Sequence, residues 1–273
     1  VTVCQHIMLR DFLPLMAEAR IAHVFWPHAT PEDVAAPANG HARLHPFPLY
    51  PVQVETRDPR ADSEARPHLF SFIGAKPDRH YMTEVRRWIL EGLADAPGGL
   101  IVGRDGWHYA KVVYEHQVFA RAGAADPAAL VDRDASETFR DSLYGSTFSL
   151  CPSGSGPNSI RLWESLGAGA IPVILSDRFA PPGPRARWEA ACLFVPETEA
   201  ATLALPETLA ALAADAARLA AMRRAGRQLW LLYGTEGFVT DVQLLMQELA
   251  VPAAAGGPVP ASGGALIDRL IAG

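Results

Sequence analysis

The feature that most constrains the fold of this 273-residue chain lies near its middle, in residues 147–177. The run Thr147–Cys151 is short, mostly apolar and bounded by Pro and Gly, which predicts a buried strand rather than a helix. Residues 171–175 repeat this pattern, and the segment between them, from about Asn158 to Leu166, predicts a helix. A strand, a turn, a helix and a second strand in direct succession indicate an α/β chain with a parallel sheet.

The turn between the first strand and this helix predicts an anion-binding site. Pro157 suits the first helical position, because a residue without an N–H group loses no hydrogen bond there. The first turn of the helix contains no Asp or Glu, so its free N–H groups and the positive end of its dipole favour an anionic ligand. Contacts to that anion are expected from Ser153, Gly154, Ser155, Gly156, Asn158 and Ser159.

Two charged residues within the helix extend this prediction. Arg161 adds a planar guanidinium, which suits phosphate or carboxylate. Glu164 follows on the same helical face, about one turn further from the anion, where a ribose would lie. The alternative interpretation is an ordinary loop followed by a surface ion pair of small energetic value.

A second alternative is a dinucleotide fingerprint. Gly154 and Gly156 are followed by Asp177 at the end of the next strand, near the spacing at which an acidic residue holds an adenosine ribose. The third glycine of that fingerprint is replaced by Ser159. This pattern leaves open an NAD-dependent oxidoreductase. A non-catalytic nucleotide-binding module is also open, because residues 1–65 are few for a complete acceptor domain.

Strands and helices alternate along the rest of the chain. After residue 66, strands are expected at 68–73, 99–103, 147–151, 171–175 and 192–195, with helices at 81–94, 136–144 and 158–168. This order predicts a parallel sheet with helices on both faces. Apolar residues at helical spacing over 209–222 predict a long core-facing helical segment, and another helix is expected around 238–249.

The pattern divides the chain into three parts. Residues 1–65 form a small N-terminal lobe, with strands expected at 1–6 and 21–26, a helix between them and a strand or connector at 45–54. Residues 66–250 form a larger lobe that contains the predicted anion site. Residues 251–273 are expected to be a Pro/Gly/Ala-rich linker followed by a short helix.

Three segments of the larger lobe resemble the signature of the exostosin family of glycosyltransferases: Ser146–Gly154, Ser159–Glu164 and Gly169–Ser176. Phe70–Gly74, followed by a predicted helix that carries Arg86 and Arg87, is similar to the opening strand and glycine turn of the family's donor domain. The chain departs from the family at two positions, since Ser153 stands where a basic residue is common and Ala170 where a Cys is common. The first departure removes a possible phosphate contact.

The resemblance implies an α/β fold of two Rossmann-like lobes, the GT-B type, with residues 1–65 as a small acceptor-side lobe and 66–250 as the donor-binding lobe. It implies an inverting transferase that moves sugar from a nucleoside diphosphate sugar, in the first place a UDP-sugar, to a glycan acceptor in bacterial surface polysaccharide synthesis. The diphosphate would lie over residues 153–159, with Arg161 stabilising the leaving group and Glu164 holding the ribose. Because N–H groups and a guanidinium can stabilise that charge, no metal or other cofactor is expected.

Candidate reactive groups follow predicted strands, where α/β proteins place them. His28 comes after the strand at 21–26 and is the first choice for the base that takes the acceptor's proton. His6 ranks next. Arg79 and His80 follow the turn at Gly74 and are candidates to reach the diphosphate from the opposite wall. The loop with Asp105 and His108 is expected either to bind the nucleobase or simply to turn.

Composition and short motifs narrow the possible partners and the possible compartment of the protein. The net charge of −6 argues against a general nucleic-acid binder. The three cysteines form neither a disulfide framework nor a metal pattern, so a reducing compartment, the cytoplasm, is expected. No run approaches the ~18 apolar residues of a membrane span, no secretion signal opens the sequence, and membrane association is not indicated. The acid-x-acid pair Asp132 and Asp134 matches the spacing of metal-dependent sugar transferases, but a helix cap is the simpler interpretation.

Overall fold

The computed structural model of the chain describes residues 1–35, 42–106 and 132–250. In these residues the chain forms two parallel sheets, one of three strands and one of five, with helices between the strands. The predicted α/β class is therefore confirmed. The linker and short helix expected at 251–273, and His108, lie outside the described residues.

The smaller sheet belongs to the N-terminal lobe and has the strand order β1-β2-β3, with β1 at Thr2–Val3, β2 at His23–Trp26 and β3 at Arg43–Pro46. Helix α1 (Leu9–Glu18) joins β1 to β2, and α2 (Pro31–Ala35) follows β2. Strand β1 is shorter than expected, because the carbonyl of His6 already accepts the N–H of Leu9 in the turn into α1. One face of this sheet packs against the apolar side of α1.

The larger sheet has the strand order β5-β4-β6-β7-β8, and all of its strand pairs are parallel. Its strands are β4 (His68–Ala75), β5 (Gly99–Arg104), β6 (Ser146–Pro152), β7 (Ile171–Leu175) and β8 (Leu193–Phe194). The five strands predicted in this lobe are confirmed, with shifts of one or two residues at their ends.

Helices cover both faces of the larger sheet, as the alternating pattern predicted. They are α3 (Val85–Gly92), α4 (Arg133–Tyr144), α5 (Ile160–Gly167), α6 (Arg185–Ala191), α7 (Glu199–Leu203), α8 (Leu205–Ala214), α9 (Ala216–Tyr233) and α10 (Thr240–Ala250). Helices α3 and α8 pack on one face, over four buried side chains of β4 and β6: Phe70, Phe72, Phe148 and Leu150. Helices α4 and α5 pack on the other face. Within the described ranges, no helix combines the length and apolarity needed to cross a bilayer.

The helical segment predicted across 209–222 is in fact two helices. The break falls at Asp215, whose backbone is not helical (φ −92°, ψ 86°). Its side chain accepts the N–H of Arg218 at 2.9 Å and so caps the start of α9. Apolar spacing alone did not reveal the break, because both helices turn their apolar sides toward the same core.

The strand order places a topological switch point between β4 and β6. Counted from β4, the order is 2-1-3-4-5, so the chain leaves β4 toward one edge of the sheet and later returns to build the other edge. Connections that diverge from two neighbouring strands leave a crevice at the carboxyl ends of those strands, which is where open α/β sheets bind ligands. Gly74 lies at this end of β4 and Ser153 directly follows β6.

The C-terminal end of α5 lies at the opposite end of the strands, next to the start of β7, and is held there by several hydrogen bonds. Gly169 has a left-handed backbone (φ +70°) just after the helix, and the N–H of Ala170 donates to the carbonyl of Ser165. The guanidinium of Arg66 donates to the carbonyls of Ala61 and Ala168 at 2.9 and 3.0 Å. A cation at this end complements the negative end of the helix dipole.

The two lobes are joined by packing as well as by the connector over residues 47–67. Helix α10, although last in the described chain, lies against the N-terminal lobe. Phe238 and Leu245 from this region pack on Phe25 and Phe47, and the rings of Phe47 and Phe238 meet edge to face at 5.0 Å. The end of the chain therefore helps to hold the small lobe against the large one.

We expect Gly169→Ala to destabilise the fold strongly. A left-handed backbone costs a residue with a Cβ about 1–2 kcal/mol, and the added Cβ would also overlap the carbonyl oxygen of Ala61. The matched control is Gly106→Ala, because a Cβ at Gly106 meets no atom within 4 Å. Thermal unfolding monitored by circular dichroism should show a melting temperature lowered by several degrees for the first variant only. Equal melting temperatures would contradict this account of the end of α5.

Candidate active site

Residues 153–159, which we call the glycine turn, lie at the carboxyl end of β6. The N–H of Ser153 donates to the carbonyl of Leu175 at 2.9 Å, and the N–H of Gly154 donates to the carbonyl of Gly156 at 2.9 Å. The first bond attaches the turn to the end of β7, and the second closes the turn tightly. The predicted turn is confirmed, and it lies beside the switch point.

The predicted start of the following helix is wrong. Pro157 and Asn158 precede α5, which begins at Ile160 with Ser159 as its N-cap. The backbone of Ser159 is extended (φ −114°, ψ 128°). Asn158 stays outside the helix because its side chain makes long-range hydrogen bonds that hold it against the other lobe.

The start of α5 lacks a side-chain cap, and both its N-cap residue, Ser159, and its first residue, Ile160, are half-buried. Ser159 makes no capping hydrogen bond through its side chain, and the first turn contains no acidic residue. Among the described residues, the backbone N–H groups of Ile160 and Arg161 have no backbone acceptor. No acidic residue of α5's first turn complements the positive end of its dipole, and these two N–H groups stay without a backbone acceptor in the described part of the chain.

Arg161 is buried behind this opening, with 7% of the residue exposed. Its Nη1 donates to the carbonyl of Leu150 at 3.2 Å, and its Nη2 donates to the carbonyl of Ile73. The guanidinium also lies 4.4 Å from the ring centroid of Phe72. Burial, and next the positive charge of Arg86, lowers the pKa of Arg161 to about 10. The immediate partners of Arg161 are thus the ends of β4 and β6.

Glu164 is also buried, with 1% of the residue exposed. Its Oε1 accepts the backbone N–H of Gln53 at 3.1 Å. Gln53 lies in the connector between the lobes, so this carboxylate joins the connector to α5. Burial raises the pKa of Glu164 to about 7, against the opposing effects of the Gln53 N–H and of Arg161.

Asn158 ties the glycine turn to the N-terminal lobe. Its Nδ2 donates to the carbonyl of Pro27 at 3.0 Å and to that of Phe47 at 3.4 Å. Its Oδ1 accepts the indole N–H of Trp163 at 2.9 Å. The side chain is 4% exposed, so these bonds are shielded from water and fix the turn between the two lobes.

His28 lies directly against the glycine turn. A Cβ added at Gly156 would overlap Nδ1 of His28 and would lie 3.0 Å from its Cγ. That Nδ1 is buried and has no hydrogen-bond partner among the described residues. Burial lowers the pKa of His28 to about 4, so the ring is neutral at pH 7. The absence of a side chain at Gly156 allows the imidazole to reach the turn.

The remaining predicted residues form the rim of the crevice. Gly74 lies near the end of β4, where an added Cβ would lie 3.0 Å from Nη2 of Arg161 and 3.3 Å from Nη1 of Arg86. Ser155 and Arg79 are exposed. Arg79 belongs to the loop between β4 and α3, and this loop contacts the glycine turn where the N–H of Met82 donates to the carbonyl of Gly154 at 3.0 Å.

Arg86 is a site residue that the sequence analysis noted but did not assign. Its Nε donates to the carbonyl of Ser153 at 3.2 Å, and its guanidinium lies 4.3 Å from the ring centroid of Tyr81. Its two Nη nitrogens have no acceptor among the described residues. The available signal was a cation on the buried, otherwise apolar side of α3, beside Val85 and Ile89.

Glu197 is a site residue that the sequence analysis missed entirely. Its Oε1 accepts hydrogen bonds from the hydroxyls of Ser153 and Thr83, and its Oε2 accepts the N–H of Asp177 at 2.9 Å. Glu197 follows β8, so the strand-end rule that singled out His28 applies to it as well.

The acidic residues on which the alternative interpretations depend accept hydrogen bonds from the backbone. Asp177, the acid of the dinucleotide pattern, accepts the backbone N–H of Glu197 with both oxygens, at 3.3 and 3.2 Å. Asp132 is the N-cap of α4, and its Oδ1 accepts the N–H of Ala135 at 3.0 Å. Within residues 1–35, 42–106 and 132–250, no group of three or more His, Cys, Asp or Glu is placed to hold a metal ion.

Comparisons with known proteins identify a family. The model of the Exostosin GT47 domain matches residues 7–212. No curated protein matches the sequence.

Three solved structures match this chain. The GtfA/B complex matches with a TM-score of 0.50 and 13% identity, over 88% of this chain and 48% of that one. Sucrose-phosphate synthase from Thermosynechococcus elongatus matches with a TM-score of 0.48 and 17% identity, over 90% and 67%. The pneumococcal O-GlcNAc transferase GtfA, in complex with UDP and GlcNAc, matches with a TM-score of 0.45 and 12% identity, over 88% and 48%. This chain thus spans about half the length of the matched chain in each of the two structures that contain GtfA.

We expect Glu164→Gln to change the pH dependence of stability. The pKa of Glu164 is raised in the folded protein, so the wild type loses stability as pH rises from about 4.5 to 7, while the Gln variant has no charge to bury. Between these pH values the stability of the variant relative to the wild type should increase, by about 3 kcal/mol at most. Urea unfolding at several pH values measures this difference. The exposed Glu207→Gln serves as the control, and a pH-independent difference for Glu164→Gln would contradict the assigned burial.

Proposed function

Because the chain belongs to the exostosin GT47 family of glycosyltransferases, we propose that it transfers a sugar from a nucleoside diphosphate sugar to a hydroxyl group of a glycan acceptor, with inversion. This proposal rests on the uncapped start of α5 at the switch point, beside the Nη nitrogens of Arg86, for which the described residues offer no acceptor. UDP as the nucleotide and bacterial surface polysaccharide as the product follow from the resemblance to the family.

The donor's diphosphate is proposed to bind over the glycine turn. Gly154, Ser155, Gly156 and Ser159 would supply backbone and hydroxyl contacts, and the N–H groups at the start of α5 would supply the positive end of a helix dipole. Arg79, on the facing loop, would approach from the other wall. The site needs little reorganisation, because the turn is already fixed by its bonds to β7 and to the N-terminal lobe.

Two guanidinium groups give this end of the sheet its positive charge. Nη2 of Arg161 and Nη1 of Arg86 lie 3.0 and 3.3 Å from the same added Cβ at Gly74, and the charge of Arg86 contributes to the lowered pKa of Arg161. Arg161 donates to backbone carbonyls, so we assign it to the support of the turn and assign the direct contact with the diphosphate to Arg86. An anion between the two lobes would relieve this like-charge repulsion.

Bond breaking at the anomeric carbon would use the same charges. The acceptor oxygen attacks the anomeric carbon from the face opposite the diphosphate, and the bond between that carbon and the phosphate oxygen breaks. The electron pair leaves on the diphosphate, where Arg86 and the N–H groups of α5 stabilise the added charge in a preorganised site. A metal ion is not required for this step.

His28 is proposed as the base that accepts the proton of the acceptor hydroxyl. It belongs to the N-terminal lobe yet lies against Gly156, so it would lie between the two proposed substrates. Its lowered pKa keeps the imidazole neutral and able to accept a proton. The negative charge of a bound donor would raise this pKa toward neutrality, which would make the ring a stronger base in the complex.

Glu164 is proposed to hold the ribose of the donor. Its Oε1 already accepts one N–H, from Gln53, and a carboxylate can accept several hydrogen bonds. Because Gln53 lies in the connector, binding of a nucleoside at this point would also involve the junction between the lobes.

We expect Arg86→Met to weaken UDP binding about 10- to 100-fold, since hydrogen bonds to a charged group contribute about 1.5–3 kcal/mol each. The matched control is Arg87→Met on the same helix, because Arg87 is exposed and pairs with Glu84 at 2.7 Å. Isothermal titration calorimetry with UDP, GDP, ADP and their sugar conjugates measures the affinity for each nucleotide and identifies the preferred nucleobase.

Equal affinities of the two arginine variants would contradict the role of Arg86. Absence of binding by every nucleotide in the panel would contradict the proposed function itself. Tight NADH binding in place of nucleoside diphosphates would favour the oxidoreductase alternative.

We expect His28→Ala to reduce turnover at least 100-fold while changing donor affinity little, because general base catalysis typically contributes 10²–10⁴-fold. His6→Ala is the control, since His6 also follows a strand of the small lobe but is exposed. Transfer assays with saturating donor separate turnover from affinity. Near-normal turnover of His28→Ala would remove this residue from the mechanism.

A further inference from the structure

One carboxylate collects hydrogen bonds from three separate segments at the edge of the crevice. Glu197 accepts the hydroxyl of Ser153 from the glycine turn, the hydroxyl of Thr83 at 3.0 Å from the loop before α3, and the N–H of Asp177 at 2.9 Å from the end of β7. The backbone N–H of Glu197 donates in return to both carboxylate oxygens of Asp177. Together with the segment after β8 that carries Glu197, four segments are therefore joined at this residue.

These bonds hold the loop between β4 and α3 against the glycine turn. The hydroxyls of Thr83 and Ser153 also lie 3.2 Å apart, and the N–H of Met82 donates to the carbonyl of Gly154 at 3.0 Å. Thr83 is two residues before the first residue of α3, and Arg86 is in the first turn of that helix. A loop fixed at Thr83 thus fixes where α3 begins and where its arginine lies.

Arg86 is bound to the same assembly from the other side. Its Nε donates to the carbonyl of Ser153, and Ser153 in turn donates its hydroxyl to Glu197. In this arrangement Nη1 of Arg86 lies 3.3 Å from a Cβ added at Gly74, and Nη2 lies 3.7 Å from a Cβ added at Gly154.

The position of Glu197 has no evident use as a direct contact. A carboxylate next to a diphosphate would repel it, so a direct contact between Glu197 and the donor would weaken donor binding. Its two oxygens are already engaged with Ser153, Thr83 and Asp177. An organising role accounts for both facts.

We infer that Glu197 is a positioning residue, which holds the loop at Thr83 on the glycine turn and thereby sets the reach of Arg86 toward the donor's diphosphate. This inference rests on the proposed function for its effect on the donor, but the locking of the loop is a property of the ligand-free protein. It also gives Ser153 a role in this chain, where the family often carries a basic residue.

The test compares Glu197→Ala with Glu199→Ala, an exposed glutamate two residues further along. Hydrogen–deuterium exchange of the ligand-free protein should show faster exchange over residues 82–86 for Glu197→Ala only. Calorimetry should show UDP affinity reduced about 10-fold for the same variant. Because Glu197 acts through Arg86, the loss should largely disappear when both proteins already carry Arg86→Met.

The outcomes separate the possible failures. If Glu197→Ala lowers only the melting temperature and leaves exchange over 82–86 and UDP affinity unchanged, the positioning role is wrong. Tighter UDP binding by Glu197→Ala, or an equal loss in the Arg86→Met background, would also overturn it. If exchange increases as expected but the wild type binds no nucleoside diphosphate, the lock at Thr83 stands and the proposed function fails.

Discussion

The crevice depends on one buried cation that holds two neighbouring strands at their carboxyl ends. The guanidinium of Arg161 donates to the carbonyls of Ile73 on β4 and Leu150 on β6 and stacks on Phe72. Burying a charge is costly unless it is hydrogen-bonded, and the bonds of Nη1 and Nη2 tie the guanidinium to both strand ends, whereas its Nε has no partner among the described residues. The glycine turn, the open start of α5 and Arg86 are all built around this fixed point.

The contact between the lobes is the second element of the site. Asn158 donates to carbonyls at Pro27 and Phe47, and Gly156 leaves room for His28. A residue of the small lobe is thereby held against the turn of the large lobe, where the two proposed substrates would meet. Helix α10 reinforces this arrangement because it packs on the small lobe from the end of the described chain.

The different roles of the charged side chains follow from their burial and their hydrogen-bond partners. Arg161 is almost fully buried and donates to backbone carbonyls, which suits it to supporting the turn, while Glu164, also buried, holds the connector through Gln53 beside the proposed position of the ribose. Arg86 is similarly buried but keeps two nitrogens without an acceptor among the described residues, so it is the cation best placed for a diphosphate. Under the proposed function, the supporting residues determine the shape of the site and Arg86 supplies the contact.

Local sequence patterns were sufficient to predict the elements and the family. Strands β4 to β8, the glycine turn and the motifs of Ser146–Ser176 could be recognised because hydrophobic period and turn residues act over a few positions. The partners of the polar side chains, in contrast, emerged from the folded chain alone. Arg161 bonds to Ile73, Asn158 to Phe47 and Glu164 to Gln53, each across 88 to 111 positions of the sequence. Such bonds depend on how β4, β6 and the two lobes are brought together. No local pattern records that geometry, which is why the start of α5 was misplaced and why the position of Glu197 after β8 did not reveal its partners Ser153, Thr83 and Asp177.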